Sequence, residues 1–219
     1  MKPANAVTVN KDRLLQQASV LALITIAYNL IEGIFSISFG IKDETLSLFG
    51  FGLDSFVEVI SGIGIWHMVQ RMRRNLDAAQ DVFEQRALKI TGSAFYLLSA
   101  GLVATAVVNL IYNRHPQTTV WGMIVGAISI LSMGLLIYFK QKVGRALNSD
   151  AILADANCTK ACLLLSFVLL AASAGYELTR IGGLDALGAL WIAWYAFKEG
   201  REAFEKSQGK ACGCSSCGS

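Results

Sequence analysis

The chain has 219 residues, 54% of them hydrophobic and only 16% charged, with 20 glycines and 2 prolines. Even before glycine is counted, that share exceeds the roughly 45–50% apolar usage of soluble domains. This composition excludes a disordered chain, a collagen-like chain and a secreted disulfide scaffold, and it carries more apolar surface than a soluble enzyme can keep from water.

Residues 1–14 form a polar N-terminal segment containing Asp12. No short apolar region with a cleavage site follows it, so the first apolar run reads as a mature span and not as a signal peptide. Six apolar segments come in order, at about 15–39, 46–70, 88–112, 119–139, 148–176 and 181–199. Each is long enough, or nearly so, to span a hydrocarbon core of about 30 Å. The links are short: IKDETLS after the first segment, NRHPQT with Pro116 after the third, and the polar stretch 71–87, expected to be helical at both ends. The expected fold is all-α, a membrane bundle of six transmembrane helices over 15–205, followed by a cysteine-containing tail at 206–219.

Charge placement sets the expected orientation. With the N-terminus counted as cytoplasmic, 15 of the 19 Lys and Arg residues fall on the cytoplasmic side. Lys42, Arg114 and Arg180 fall outside, and Lys160 falls within a span. This bias places both termini in the cytoplasm and agrees with an even number of spans. The short loops point to a bacterial plasma membrane.

Six charged side chains lie inside the segments, more than two residues from a segment end: Glu32, Asp54, Glu58, Asp155, Lys160 and Asp185. An ionisable group at bilayer depth is costly and marks a functional site by default. Five of the six are acids, which favours a cation path. Glu32, with Asn29 one turn earlier on the same face, either lines a proton or ion path or bonds to a neighbouring helix. Asp185 is near the start of the sixth segment, where path and interhelical roles fit equally.

The second segment reads SLFGFGLDSFVEVISGIGIW, and its Asp54 and Glu58 are four residues apart, on one helical face. Two such carboxylates in a low dielectric do not both stay ionised without a cation or a proton. Ser47 and Ser61 continue the stripe, and Gly50, Gly52, Gly62 and Gly64 permit close helix approach. The fifth segment reads SDAILADANCTKACLLLSFVLL, with Cys158 and Cys162 four apart and Asp155 one turn earlier. Thiolates suit Zn, Cu(I) or heavier thiophilic metals.

Depth gives the two pairs a common level. With the second segment running inward, Asp54 and Glu58 lie about 12 and 18 Å below the outer end at 1.5 Å per residue. With the fifth running outward, Cys158 and Cys162 lie about 15 and 21 Å above the inner end. In a core of about 30 Å, Cys162 then stands level with Asp54 and Cys158 with Glu58, a mixed set that tetrahedral Zn²⁺ or Cd²⁺ accepts. Asp155 is a further candidate ligand. Lys160 points away from the cysteines and is expected to snorkel or pair with an acid elsewhere. His67 and His115 read as surface or interface residues.

The tail, QGKACGCSSCGS, carries Cys212, Cys214 and Cys217. It is too short and polar to fold alone. In a reducing cytoplasm its thiols are expected free, fit to capture a soft metal or to be palmitoylated.

With these pairs in place, residues 15–205 resemble the cation diffusion facilitator family, proton-coupled exporters of zinc and related metals. The resemblance rests on six spans and on the stretches SLFGFGLDSFVEV, LNSDAILADANCTKAC and LDALGALWIAWYAFKEG. In the family the second span carries two aspartates four apart, matched here by Asp54 and Glu58. The fifth carries a histidine and an aspartate four apart after an Ala-Asp, matched here by Cys158 and Cys162 after Ala154-Asp155. The family's usual soluble domain after the sixth span has no counterpart in these residues. The resemblance implies a secondary transporter exporting a divalent or soft cation, Zn²⁺, Cd²⁺ or similar, by proton antiport, as a membrane homodimer. No enzymatic role, resident cofactor or nucleic-acid partner is expected. Two other classes stand beside it: a non-transporting metal sensor or metal-handing partner working through the tail, and a thiol-dependent membrane enzyme, disfavoured because no base accompanies the cysteines.

Overall fold

The computed structural model describes residues 3–42, 46–74, 80–111, 120–179 and 184–209. They form helices α1 (Pro3–Lys42), α2 (Leu46–Arg74), α3 (Gln80–Ile111), α4 (Val120–Leu147), α5 (Asp150–Thr179) and α6 (Leu184–Ser207). These match the six expected segments, and the stretch 71–87 is helical at both ends, as its composition predicts. Three helices contain windows long and apolar enough to cross a membrane within the described residues: Lys11–Phe39, Val82–Val108 and Asp150–Val168. Large apolar side chains such as Ile31, Phe35, Ile63, Leu131, Leu135 and Trp194 point outward. A helix bundle with this apolar exterior needs lipid around it, and the chain is an integral membrane protein.

The helices alternate in direction. One apolar cluster gathers Leu15 from the start of α1, Met72 from the end of α2, Leu88 from the start of α3, Val143 from α4, Ile152 from α5 and Ala203 from α6. All six helix ends nearest the termini therefore meet at one end of the bundle. Ion pairs surround this end, Arg73–Asp12 at 3.2 Å and Lys206–Asp150 at 3.5 Å. Helices α1, α2, α5 and α4 contact one another in a closed ring, and α3 and α6 pack together against its α2 and α5 side. A second apolar cluster deeper in the bundle holds Phe51, Phe95, Met133, Cys158, Cys162 and Ile192.

Two local features fix the ring. Between α4 and α5, Asn148 takes a φ of 49°, in the left-handed region that Asn tolerates. Glu84 of α3 then accepts hydrogen bonds from Ser149 Oγ at 2.6 Å and the Ala151 amide at 3.1 Å, so it caps α5. Between α1 and α2, Gly33 and Gly52 face each other. A Cβ on Gly52 would stand 2.7 Å from Ile37 Cγ1 and 2.9 Å from the Gly33 carbonyl oxygen. Gly52→Ala is therefore expected to destabilise the bundle by about 1–3 kcal/mol through overpacking. Thermal unfolding of the purified variant in detergent measures this, and an unchanged midpoint would show that the two helices separate freely.

Candidate metal-binding site

Buried polar side chains of α1, α2, α4 and α5 gather at mid-depth in the ring. Asp54 and Glu58 of α2 are 4% and 1% exposed, and Cys158 and Cys162 of α5 are 0% and 1% exposed. All four face the interior, because the i, i+4 spacing that puts each pair on one face also turns that face toward the other pair. The Cys162 thiol lies beside both carboxylates.

The carboxylates differ in how they are held. Glu58 Oε2 accepts from Asn29 Nδ2 of α1 at 2.9 Å and lies 3.5 Å from the Thr159 hydroxyl of α5. Its Oε1 has no hydrogen-bond partner, and neither has either oxygen of Asp54 nor Oδ1 of Asn29. Buried acceptors are nearly always satisfied, so orphaned oxygens at one level require another explanation. A cation or a bound proton would satisfy the carboxylate oxygens. Among the described residues, no three His, Cys, Asp or Glu side chains are drawn together tightly enough to hold one ion as they stand. The four side chains share a level without forming a closed coordination sphere, and side-chain rotation has to complete it.

Glu32, on α1, does bond to neighbouring helices. It accepts from Tyr28 at 3.0 Å, from Ser55 of α2 at 3.0 Å, and from Ser129 of α4. Asn29 also donates to the Thr25 carbonyl at 2.9 Å, which fixes the amide so that Nδ2 serves Glu58. Tyr28 in turn lines a groove of about 790 Å³ between α1 and α4, which runs from Arg13 and Lys142 near the termini up to Tyr28 and Ser132.

Asp155 is committed elsewhere than to the cysteines. Its Oδ2 pairs with Lys140 Nζ at 2.7 Å, and its Oδ1 accepts from Ser61 at 2.6 Å. Ser61 also shares a 3.1 Å hydrogen bond with Thr91 of α3. Lys140 donates as well to Thr159 Oγ1 at 2.9 Å. Lys140 is one residue past the fourth apolar segment, and by chain position alone it counts among the cytoplasmic charges. Helix α4 instead runs on to Leu147, and Lys140 falls in the buried stripe of Met133, Leu136 and Val143. A lysine at that position in an otherwise apolar stripe was the available signal. Without it, the count on that side falls from 15 to 14 of the 19 cations. Lys160, which did fall within a span, is exposed on α5, and His67 is exposed as expected. Asp185 is the second residue of α6. Its side chain, with Ser47, His115, Cys212, Cys214 and Cys217, lies outside the described residues.

A comparison with curated proteins finds no match. The family model described as the cation efflux transmembrane domain matches residues 22–208, which span α1 from Ala22 onward through α6 and contain every residue of the polar band. Six alternating helices, a buried acid pair facing a thiol pair, and this match over most of the length agree, and the chain belongs to the cation efflux family of metal cation transporters.

Proposed function

We propose that the chain exports a divalent or soft metal cation, Zn²⁺, Cd²⁺ or a similar thiophilic ion, by proton antiport through a mid-membrane site made by Asp54, Glu58, Cys158 and Cys162. The observation that carries this reading is the set of orphaned buried oxygens on Asp54 and Glu58 beside the Cys162 thiol. Two carboxylates and two thiolates give the four-ligand shell that Zn²⁺ or Cd²⁺ takes. Because thiols must lose protons to bind, metal and protons compete for the same groups, which is the physical basis of exchange. Both termini are cytoplasmic in this reading, and the groove from Arg13 to Tyr28 leads the ion from that side toward Glu32 and Asn29. Glu32, held by three hydroxyls, and Asn29, bonded to Glu58, form the path between groove and site, with Asp185 a candidate for the far side. The protein acts as a homodimer in a bacterial plasma membrane.

The test is flux. Purified protein in sealed vesicles should move Zn²⁺ or Cd²⁺ down an imposed gradient and should move protons in the opposite sense, read by an internal metal dye and an internal pH dye. Metal binding without flux would sink the transport reading in favour of a sensor or metal-handing role for the cysteine tail. Flux without proton movement would remove antiport and leave the site.

A further inference from the structure

The metal site has an ammonium built in beside it. Lys140 is 2% exposed, and its Nζ is clamped between Asp155 Oδ2 at 2.7 Å and Thr159 Oγ1 at 2.9 Å. The Thr159 hydroxyl is in turn 3.5 Å from Glu58 Oε2, so a single hydroxyl separates the ammonium from an oxygen of the metal site. Asp155 is three residues before Cys158 on α5, and Ser61 is three after Glu58 on α2. The Lys140 layer therefore lies about one turn from the site, toward the end where the termini meet. Four helices contribute to it: Ser61 from α2, Thr91 from α3, Lys140 from α4, and Asp155 with Thr159 from α5.

Such a layer is expensive. Removing two charges from water carries a desolvation penalty that their attraction repays only with good geometry and further hydrogen bonds, and an apolar pair of the same size often serves stability better. Lys140 also does not snorkel. Helix α4 continues for seven residues beyond it, to Leu147, and the side chain turns into the ring instead of toward the helix end.

The charges explain its position. With the thiols still protonated and the carboxylates taken as ionised, Asp54, Glu58 and Asp155 bring three negative charges and Lys140 one positive, a net of minus two, and each thiol that ionises on binding metal adds one more. Without the ammonium, Asp155 would be a third free carboxylate one turn from the thiols. The site would then hold a divalent ion more tightly than a transporter that must release it can use, because uniform tightening of the bound state slows departure. Without Asp155, the ammonium would be free to cross Thr159 to Glu58 and occupy the place of the metal.

We propose that Lys140 and Asp155 form an internal charge clamp that sets the affinity of the site. Lys140 keeps Asp155 out of the ligand set and opposes the metal's charge, and Asp155 keeps Lys140 off Glu58. Both are positioning residues. This role rests on the reading of Asp54, Glu58, Cys158 and Cys162 as the metal site.

The test is Cd²⁺ and Zn²⁺ affinity of the full-length protein in detergent, with flux against concentration in vesicles, for five variants beside the parent. Lys140→Gln should bind metal more tightly, on the order of tenfold, with KM and turnover falling together. Asp155→Asn should bind more weakly by a similar factor. The double variant restores the net charge of minus two and should return to within about threefold of the parent. Lys140→Arg should stay close to the parent. A purely structural pair predicts something different: both single variants weaken binding together. That outcome overturns the clamp. If Lys140→Gln does not yield folded protein, Asp155→Asn and the double variant decide. A double variant that binds no better than Asp155→Asn overturns the clamp. Asp54→Asn in the same assay separates the two readings. Retained binding in that variant would bring down the metal site and the clamp together. Lost binding, with Lys140→Gln and Asp155→Asn shifting the same way, would overturn the clamp alone.

Discussion

Asp54→Asn is expected to abolish metal transport while leaving an inserted, folded protein. Neither buried Asp54 oxygen has an N–H or O–H donor, and its weak contact with the Cys162 thiol is one that an Asn amide oxygen can keep, so the bundle does not depend on the carboxylate for an interaction that Asn would lose. Asn keeps the shape and removes the anion. Loss of a group that merely supports a metal ligand costs about 10–100-fold in affinity or activity, so loss of a ligating carboxylate should lower Zn²⁺ or Cd²⁺ flux by at least about 100-fold. Asp54→Ala should do the same. The thermal midpoint of the Asn variant should hold or rise, because a buried charge without a partner opposes folding. Normal metal uptake by vesicles carrying the folded Asn variant would show that the ion passes elsewhere.

The framework of this protein was readable from apolar runs and cation placement, because lipid imposes a length and a polarity on every span. The convergence of α2 and α5 was readable too, since helical rise alone puts Asp54 and Glu58 at the depth of Cys162 and Cys158. What sequence could not supply was the rotation of the other helices about their axes. Lys140 shows why. Counted by position along the chain it is the first cation of a loop, and only the continuation of α4 to Leu147 makes it an interior residue. Its partner Asp155 was accordingly grouped with the cysteines on the same helix, when its side chain reaches across to α4. Tyr28, Ser55 and Ser129 escaped notice for a related reason. Hydroxyl side chains are unremarkable in a membrane helix, and their meeting at Glu32 requires three helices to be in place. The glycines were the easier case. A small residue at a crossing acts through its own helix, and Gly33 and Gly52 are in contact as such residues should be.

The identity of the cargo turns on the thiols. Replacing Cys158 with His and Cys162 with Asp should rebuild the nitrogen and oxygen pattern usual in the family beside Asp54 and Glu58. Zn²⁺ flux should persist or improve, because Zn²⁺ accepts nitrogen and oxygen as readily as sulfur. Cd²⁺ flux should fall, because the softest ligands are gone. A change of about tenfold in the Zn²⁺ to Cd²⁺ flux ratio corresponds to only about 1.4 kcal/mol of differential binding, a modest demand on two exchanged ligands. The pH profile should move as well. A thiol has to lose a proton before it can bind metal, whereas an imidazole binds as the neutral ring that prevails near neutral pH. The double variant should therefore keep more of its flux when the metal-loading side is acidified. The obstacle is steric. Cys158 and Cys162 are fully buried and pack in the same apolar cluster as Phe51, Met133 and Ile192, and an imidazole is larger than a thiol. Cys158→Ser with Cys162→Ser supplies the control of near-equal size, and it should lose Cd²⁺ flux more than Zn²⁺ flux without gaining acid tolerance. Folding of both variants is checked by elution profile and thermal midpoint before flux is measured. If both fold and both keep the parent's Zn²⁺ to Cd²⁺ ratio and pH profile, the cysteines do not ligate the cargo. They then serve only as small buried side chains between α5 and its neighbours, and the orphaned oxygens of Asp54 and Glu58 remain to be satisfied by oxygen or nitrogen ligands alone.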